Sequence, residues 1–193
     1  MPKLINRQGL INGGADHWIE YSGDADTRDT NTGDTDTRDT NRRDTQTRDT
    51  SAIPVGACVL LSLTEFREFA DTWKTRAKAI GVKLSAADDP ALIANDLDKL
   101  RLIAIDFPAF ADGRGYSTAR LLRDRYQWKG ELRAVGDVLR DQIFLLSRSG
   151  FDTFALRDDQ DVQSALNAFN DFSDYYQLAA DRFVDRSAMP LAA

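Results

Sequence analysis

One cysteine and one histidine are all that 193 residues supply of the side chains most used to hold transition metals. Each scarcity removes a class of chemistry. An iron–sulfur cluster takes several thiolates, and a structural zinc takes four Cys or His ligands. Neither an iron–sulfur cluster nor zinc is therefore expected. A lone cysteine makes no disulfide within the chain, so nothing argues for an oxidising compartment. Cys58 sits in the apolar run Val55–Leu61 and reads as a small buried hydrophobe. His17 lies outside the main domain, which weakens any triad built on it. No apolar run approaches membrane-spanning length, and Met1–Arg7 lacks the apolar centre of a signal peptide. The expected setting is the cytoplasm, with no membrane partner. Basic residues are also outnumbered, 25 against 31 acidic, for a net charge of −6 and a pI near 4.8. That balance argues against a nucleic-acid partner.

Apolar residues are missing from one stretch altogether. From Asp26 to Thr50 the chain runs DTRDT, NTGDT, DTRDT, NRRDT, QTRDT, a five-residue repeat with nothing strongly apolar in it. It lacks the bulky repeat centre of a pentapeptide β-helix and the paired glycines of a calcium-binding β-roll. Phosphorylation or weak ion binding is compatible with its Thr and Arg-Asp spacing. The leading reading is a disordered, solvated linker over residues 22–51 that deletion would leave nearly silent in thermal stability. Before it, apolar pairs around Asn12-Gly13 predict a hairpin within residues 1–21 that packs on the edge of the main domain. The main domain is expected over 52–183, with a flexible tail over 184–193.

What is present in that domain is an alternation of strand and helix. Val55–Leu61 suits a buried strand. Ser62 to Glu65 forms a capping box, and Phe66, Phe69, Ala70, Trp73, Ala77 and Ile80 follow at helical spacing, with Gly81 as the expected stop. Strands are predicted at Val82–Leu84, Leu102–Phe107, Leu132–Asp137 and Thr153–Leu156. Helices are predicted from Asp89-Pro90 to about Leu100, from a Ser117 cap to Tyr126, from Leu139 to Ser149, and from about Asp161. The last carries Val162, Ala165, Leu166, Phe169 and Phe172 on one face. This is an α/β protein with a mainly parallel sheet, either an open three-layer sheet or a partial βα-barrel. The functional edge is then at the C-terminal ends of the strands.

Polar residues gather there. Asp106 ends one strand and opens a loop with Asp112, Gly113, Arg114, Gly115 and Ser117. Asp137 ends the next, ahead of Arg140, Asp141 and Gln142, and Arg157 ends a third. Gly113-Arg114-Gly115 leads into a helix N-terminus, where free amides favour an anion and arginine offers a planar fork. A small oxyanion or phosphorylated ligand is one expectation, with Gly115→Val impairing binding more than folding. A purely structural ion network is the other. Asp106 and Asp137 are candidates for a general acid/base pair. Gly113-x-Gly115-x-x-x-Ala119 with Asp137 some twenty residues on partly matches a dinucleotide fingerprint, so nicotinamide or flavin is a weak cofactor expectation. Five residues after Phe107 and a missing third glycine depart from it.

The same residues carry a family likeness. DFPAFADGRGYSTARLLRDRY followed by GELRAVGDVLRDQIFLLSRSGFDTFALR resembles the bacterial family known as domain of unknown function 934, across about Val55 to Tyr176. The Asp26–Thr50 tract is outside that pattern. The resemblance implies an oxidoreductase associated with sulfite reduction and sulfur assimilation. Six-electron sulfite reduction uses sirohaem and an iron–sulfur cluster, which one cysteine cannot hold. An accessory of the sulfite reductase haemoprotein is therefore expected, with a small anionic ligand as a further partner. The alternative is a small-molecule enzyme using the Asp/Arg edge, distinguishable by colour if it binds flavin.

Overall fold

The computed structural model describes residues 3–11, 17–21 and 54–172, excepting the side chains of residues 69–71, 73 and 74. The expected linker over 22–51, the tail over 184–193 and the inward facing of Phe69 and Trp73 lie outside the described residues. Eight strands form one sheet: β1 (Lys3–Asn6), β2 (Gly9–Ile11), β3 (Trp18–Glu20), β4 (Cys58–Ser62), β5 (Ala79–Leu84), β6 (Leu100–Phe107), β7 (Glu131–Gly136) and β8 (Thr153–Leu156). Their spatial order is β2-β1-β8-β7-β6-β5-β4-β3. From β3 to β8 neighbours in space are neighbours in sequence and all pair in parallel. β1 closes the other side by pairing antiparallel with β8 and β2.

This order decides between the two expected architectures. Parallel crossovers are right-handed, and a run that steps the same way from β4 to β8 puts the described crossovers on the same face. The packing agrees. One buried cluster joins Val59, Ile103, Leu132 and Phe154 of the sheet to Phe66, Ile93, Leu122, Leu146 and Phe169 of the connections. The opposite face carries Leu60, Leu102 and Ala104 with Trp18 and Val135, all of them strand residues. The three-layer alternative, which needs helices on both faces, is corrected accordingly.

Chain length explains the curl of this half-barrel. In a flat sheet, strands about 4.8 Å apart would hold β2 and β3 about 34 Å from each other. The seven peptide steps from Ile11 to Trp18 reach at most about 25 Å. The sheet has to bend until its edges come within that reach.

Local signals set the connections. The capping box at the start of α1 (Leu63–Arg76) is present: the Ser62 hydroxyl accepts the Glu65 amide at 3.2 Å, and the Glu65 carboxylate accepts the Ser62 amide at 3.0 Å. Asp89 caps a 3-10 helix, Pro90–Lys99. Asp161 caps α4 (Val162–Asn167) by accepting the Ser164 amide at 2.7 Å. Three expectations shift. The N-terminal hairpin turns at Arg7–Gln8, where Asn6 Oδ1 accepts two amides and Gly9 takes φ +143°; Asn12-Gly13 is outside the described residues. Gly81 is not a helix stop but lies inside β5, where the Trp18 ring, Leu60 and Leu102 fill the space its side chain would take. Ser117 is not a cap, because α2 (Arg114–Arg120) begins three residues earlier and runs on as a π-helical turn, Leu121–Arg125. Among the described residues no helix is long and apolar enough to cross a membrane.

Candidate functional site

The loop between β6 and α2 is held from below by two side chains of the next crossover. The Phe110 amide donates to Asp137 Oδ2 at 2.9 Å, and Gln142 Nε2 donates to the Phe110 carbonyl at 3.3 Å. Gln142 is buried ahead of α3 (Ile143–Arg148), and its Oε1 accepts the Leu139 amide at 2.9 Å. Within the loop Asp112 Oδ1 accepts the Arg114 amide at 3.1 Å. The result is a short segment fixed at both ends with the Phe110 ring at its crest, 52% exposed.

Around it every guanidinium of the expected anion site already faces carboxylate. Arg114 closes on Asp112 through Nε and Nη2, at 3.0 and 2.6 Å. Arg157 closes on Asp159 at 2.7 Å through both its Nε and Nη2 and reaches Asp137 with Nη1 at 2.8 Å. Arg140 meets Asp171 at 2.7 Å and Asp141 at 3.4 Å. Five carboxylates answer three arginines, so the cluster is net acidic. The hydrogen bonds from Arg157 hold the Asp159 carboxyl down to about 2 and raise the Arg157 guanidinium. Those from Arg114 likewise lower Asp112. Burial pushes the Tyr116 hydroxyl up, against a hydrogen bond with Gln142.

The edge thus brings Asp137, Gln142, Arg157 and the Phe110 loop into one network, while Arg114 and Arg140 are bound to different carboxylates. Ser117 lies away from this network, on the wall of a surface hollow of about 470 Å³ with Tyr116 and Arg120. Asp106 is on the concave side of β6 and has no hydrogen-bond partner among the described residues. Its Oδ1 lies 2.9 Å from where a Cβ on Gly136 would sit, and Gly136 takes φ +91°, so that position requires glycine. Gly113 precedes α2 with open space where a side chain would sit, and its carbonyl accepts the Tyr116 amide at 3.2 Å. At Gly115 a side chain would strike the Phe107 ring at 2.6 Å, so glycine there serves helix-to-strand contact. That is the packing role of the third glycine in a dinucleotide fingerprint.

Sequence reasoning passed over Phe110, whose exposure depends on two hydrogen bonds from residues 27 and 32 positions away. It also passed over the concave face. There Thr153 Oγ1 (2.7 Å), Arg133 Nη2 (2.9 Å) and Arg133 Nε (3.1 Å) all donate to Glu131 Oε1. A strict strand alternation starting at Leu132 would have placed Arg133 opposite the helices.

Among curated proteins and solved structures, no match was found. A family model described as "Bacterial protein of unknown function (DUF934)" matches residues 81–185. The matched span exceeds half the chain and contains the whole C-terminal strand edge from Asp106 to Arg157, so this protein belongs to that bacterial family of unknown function.

Proposed function

We propose that the protein serves assimilatory sulfite reduction as an accessory that docks on the haem-bearing reductase through its C-terminal strand edge, with no redox centre of its own. The observation that carries this reading is the Phe110 loop, pinned by Asp137 and Gln142 with its aromatic ring outward. An exposed aromatic on a pre-ordered loop is the kind of anchor that protein interfaces concentrate their energy on. The paired arginines suit a protein surface better than a free oxyanion, because an oxyanion there has to displace Asp112 or Asp159 from a two-point contact. Net acidity of the cluster favours a basic patch on the partner and salt-sensitive association. The link to sulfur rests on the family likeness, and the exclusion of a self-sufficient reductase rests on Cys58 being the one thiol of the chain.

The test is genetic and biochemical together. A deletion strain should grow poorly on sulfate or sulfite and recover with cysteine, and purified protein should not reduce sulfite with an artificial donor. Phe110→Asp should fold normally yet fail to complement or to co-purify the reductase. Normal growth of the deletion strain on sulfate would overturn the sulfur assignment, and full complementation by Phe110→Asp would overturn the docking edge. The Asp106 carboxylate, without a hydrogen-bond partner among the described residues, favours a second reading, a small-molecule enzyme. Under it, Asp106→Asn should abolish complementation while leaving co-purification intact.

A further inference from the structure

The bulge in β6 points to a second site on the opposite side of the sheet. Along β5 and β6, Ile80 pairs with Leu100 and Gly81 pairs with Leu102, so Arg101 is an extra residue with no opposite number. That insertion turns Leu100 towards the helices and Leu102 towards the concave face. It sends the Arg101 side chain, exposed and without a partner among the described residues, to the wall of a groove of about 680 Å³. Bulges of this kind re-aim side chains, and they concentrate beside functional sites.

The groove has two chemical halves. Leu4, Trp18, Cys58 and Ala79 supply an apolar wall. The indole lies over Gly81, where its ring atom Cζ3 comes within 3.0 Å of the missing Cβ position, and so rests against the sheet as a broad aromatic surface. Lys78 joins Arg101 at the same end of the strands, and its ammonium likewise has no partner among the described residues. The acidic side chains lining the groove are already engaged. Glu131 is held by Arg133 and Thr153, and Asp152 accepts from Arg123 Nη2 at 2.7 Å and from the Leu132 amide at 2.9 Å. The uncompensated charge of the groove is therefore positive in a chain of net charge −6. Its volume falls in the range of about 300–1,000 Å³ usual for small-molecule sites.

We propose that this concave groove binds a small organic anion with a flat apolar body, an aryl or heteroaryl sulfonate, carboxylate or phosphate, which lays its ring along Trp18 and directs its charge to Arg101 and Lys78. The sheet sets the backbone positions that carry the cations and the aromatic surface, so the ring and the charged group are read together. The site lies away from the Phe110 edge, and either can fail without the other.

Anilinonaphthalene sulfonate is a suitable probe, since it carries a flat apolar body and one anionic group and brightens on transfer from water. Titrated into the full chain, it should bind saturably at one molecule per chain. The double variant Lys78→Ala with Arg101→Ala, whose melting temperature should match the parent, should lose at least about 10-fold in affinity. Phenylnaphthylamine, the neutral counterpart, should bind the parent more weakly and should be indifferent to the double variant. Arg114→Ala, at the other edge, should leave dye binding unchanged. Absence of saturable binding, or equal dye affinity in the parent and the double variant, would overturn the proposal. So would equal affinity of the neutral and the anionic probe.

Discussion

Gly115 shows how much a single residue's meaning depends on what stands opposite it. In the sequence, a glycine between strand and helix reads equally well as room for a phosphate or room for a ring. The structure sets the Phe107 ring there, in edge contact with Tyr116 at 5.5 Å between centroids. Gly115→Val should therefore destabilise the fold by about 1–3 kcal/mol through overpacking, read as a lower midpoint in urea. An unchanged midpoint would put the backbone there in open space. The arginines teach the same lesson by charge. Asp159 has its pKa held near 2 by Arg157, below the 3.8 of a free aspartate. A depressed carboxyl contributes stability that is complete above its unfolded pKa and is lost as pH falls through the folded one. The Arg157–Asp159 contact should thus be intact at neutral pH and dissolve only as pH drops from about 4 towards 2. The carboxyl carbon shift of Asp159 followed by NMR checks this, and a midpoint near 4 would mean the contact is absent in solution.

At the scale of the element, signals that close within one turn were legible. The Ser62 and Glu65 pair and the Asp161 cap both act across three residues, and both are in place. Signals that close across the fold were not. The bulge at Arg101 depends on how β6 meets β5, and no local pattern announces it. The π-helical turn after α2 is another such case. It brings buried Arg123 under the next crossover, where Nε donates to the Gly150 carbonyl at 2.9 Å and Nη1 to those of Trp128 and Gly130 at 2.7 and 3.0 Å. Nη2 completes the set on Asp152. One side chain thus ties the entry of β7 to the entry of β8. Arg123→Ala should cost about 3–5 kcal/mol by stranding Asp152 and three carbonyls. Arg123→Lys should recover little of that, since an ammonium cannot reproduce the fork. Thermal unfolding of the two variants measures both, and full recovery by lysine would reduce the role of Arg123 to its charge.

For the molecule as a whole, alternation of apolar strands with amphipathic helices was enough to give an α/β fold and a mainly parallel sheet. Alternation says nothing about whether successive crossovers step one way or reverse, so the half-barrel and the three-layer sheet stayed equal until strand order was known. The candidate edge was legible for a related reason. In any parallel sheet the ends of the strands collect loop residues, and Asp137, Gln142 and Arg157 do meet there. The concave groove was not, because its walls come from β1, β3 and the starts of β4–β8, which are far apart in sequence.

The pairing of β1 with β8 has a consequence in time. Lys3 lies opposite Leu156 and Ile5 opposite Phe154, so β1 leaves the ribosome well before the strand it pairs with. At about 5–20 residues per second of synthesis, that interval is on the order of 8–30 s. Through it, the apolar side of β1 stays without its mate, and the parallel run from β4 onward has to assemble first. Joining strands so distant in sequence closes a very long loop, an entropic step that native contacts repay only late. Ile5→Ala should accordingly speed unfolding while leaving the refolding rate almost unchanged, a φ-value near zero in a chevron plot. A φ-value near one would mean that β1 and β8 find each other at the start, and that folding of the nascent sheet cannot begin until β8 has been made.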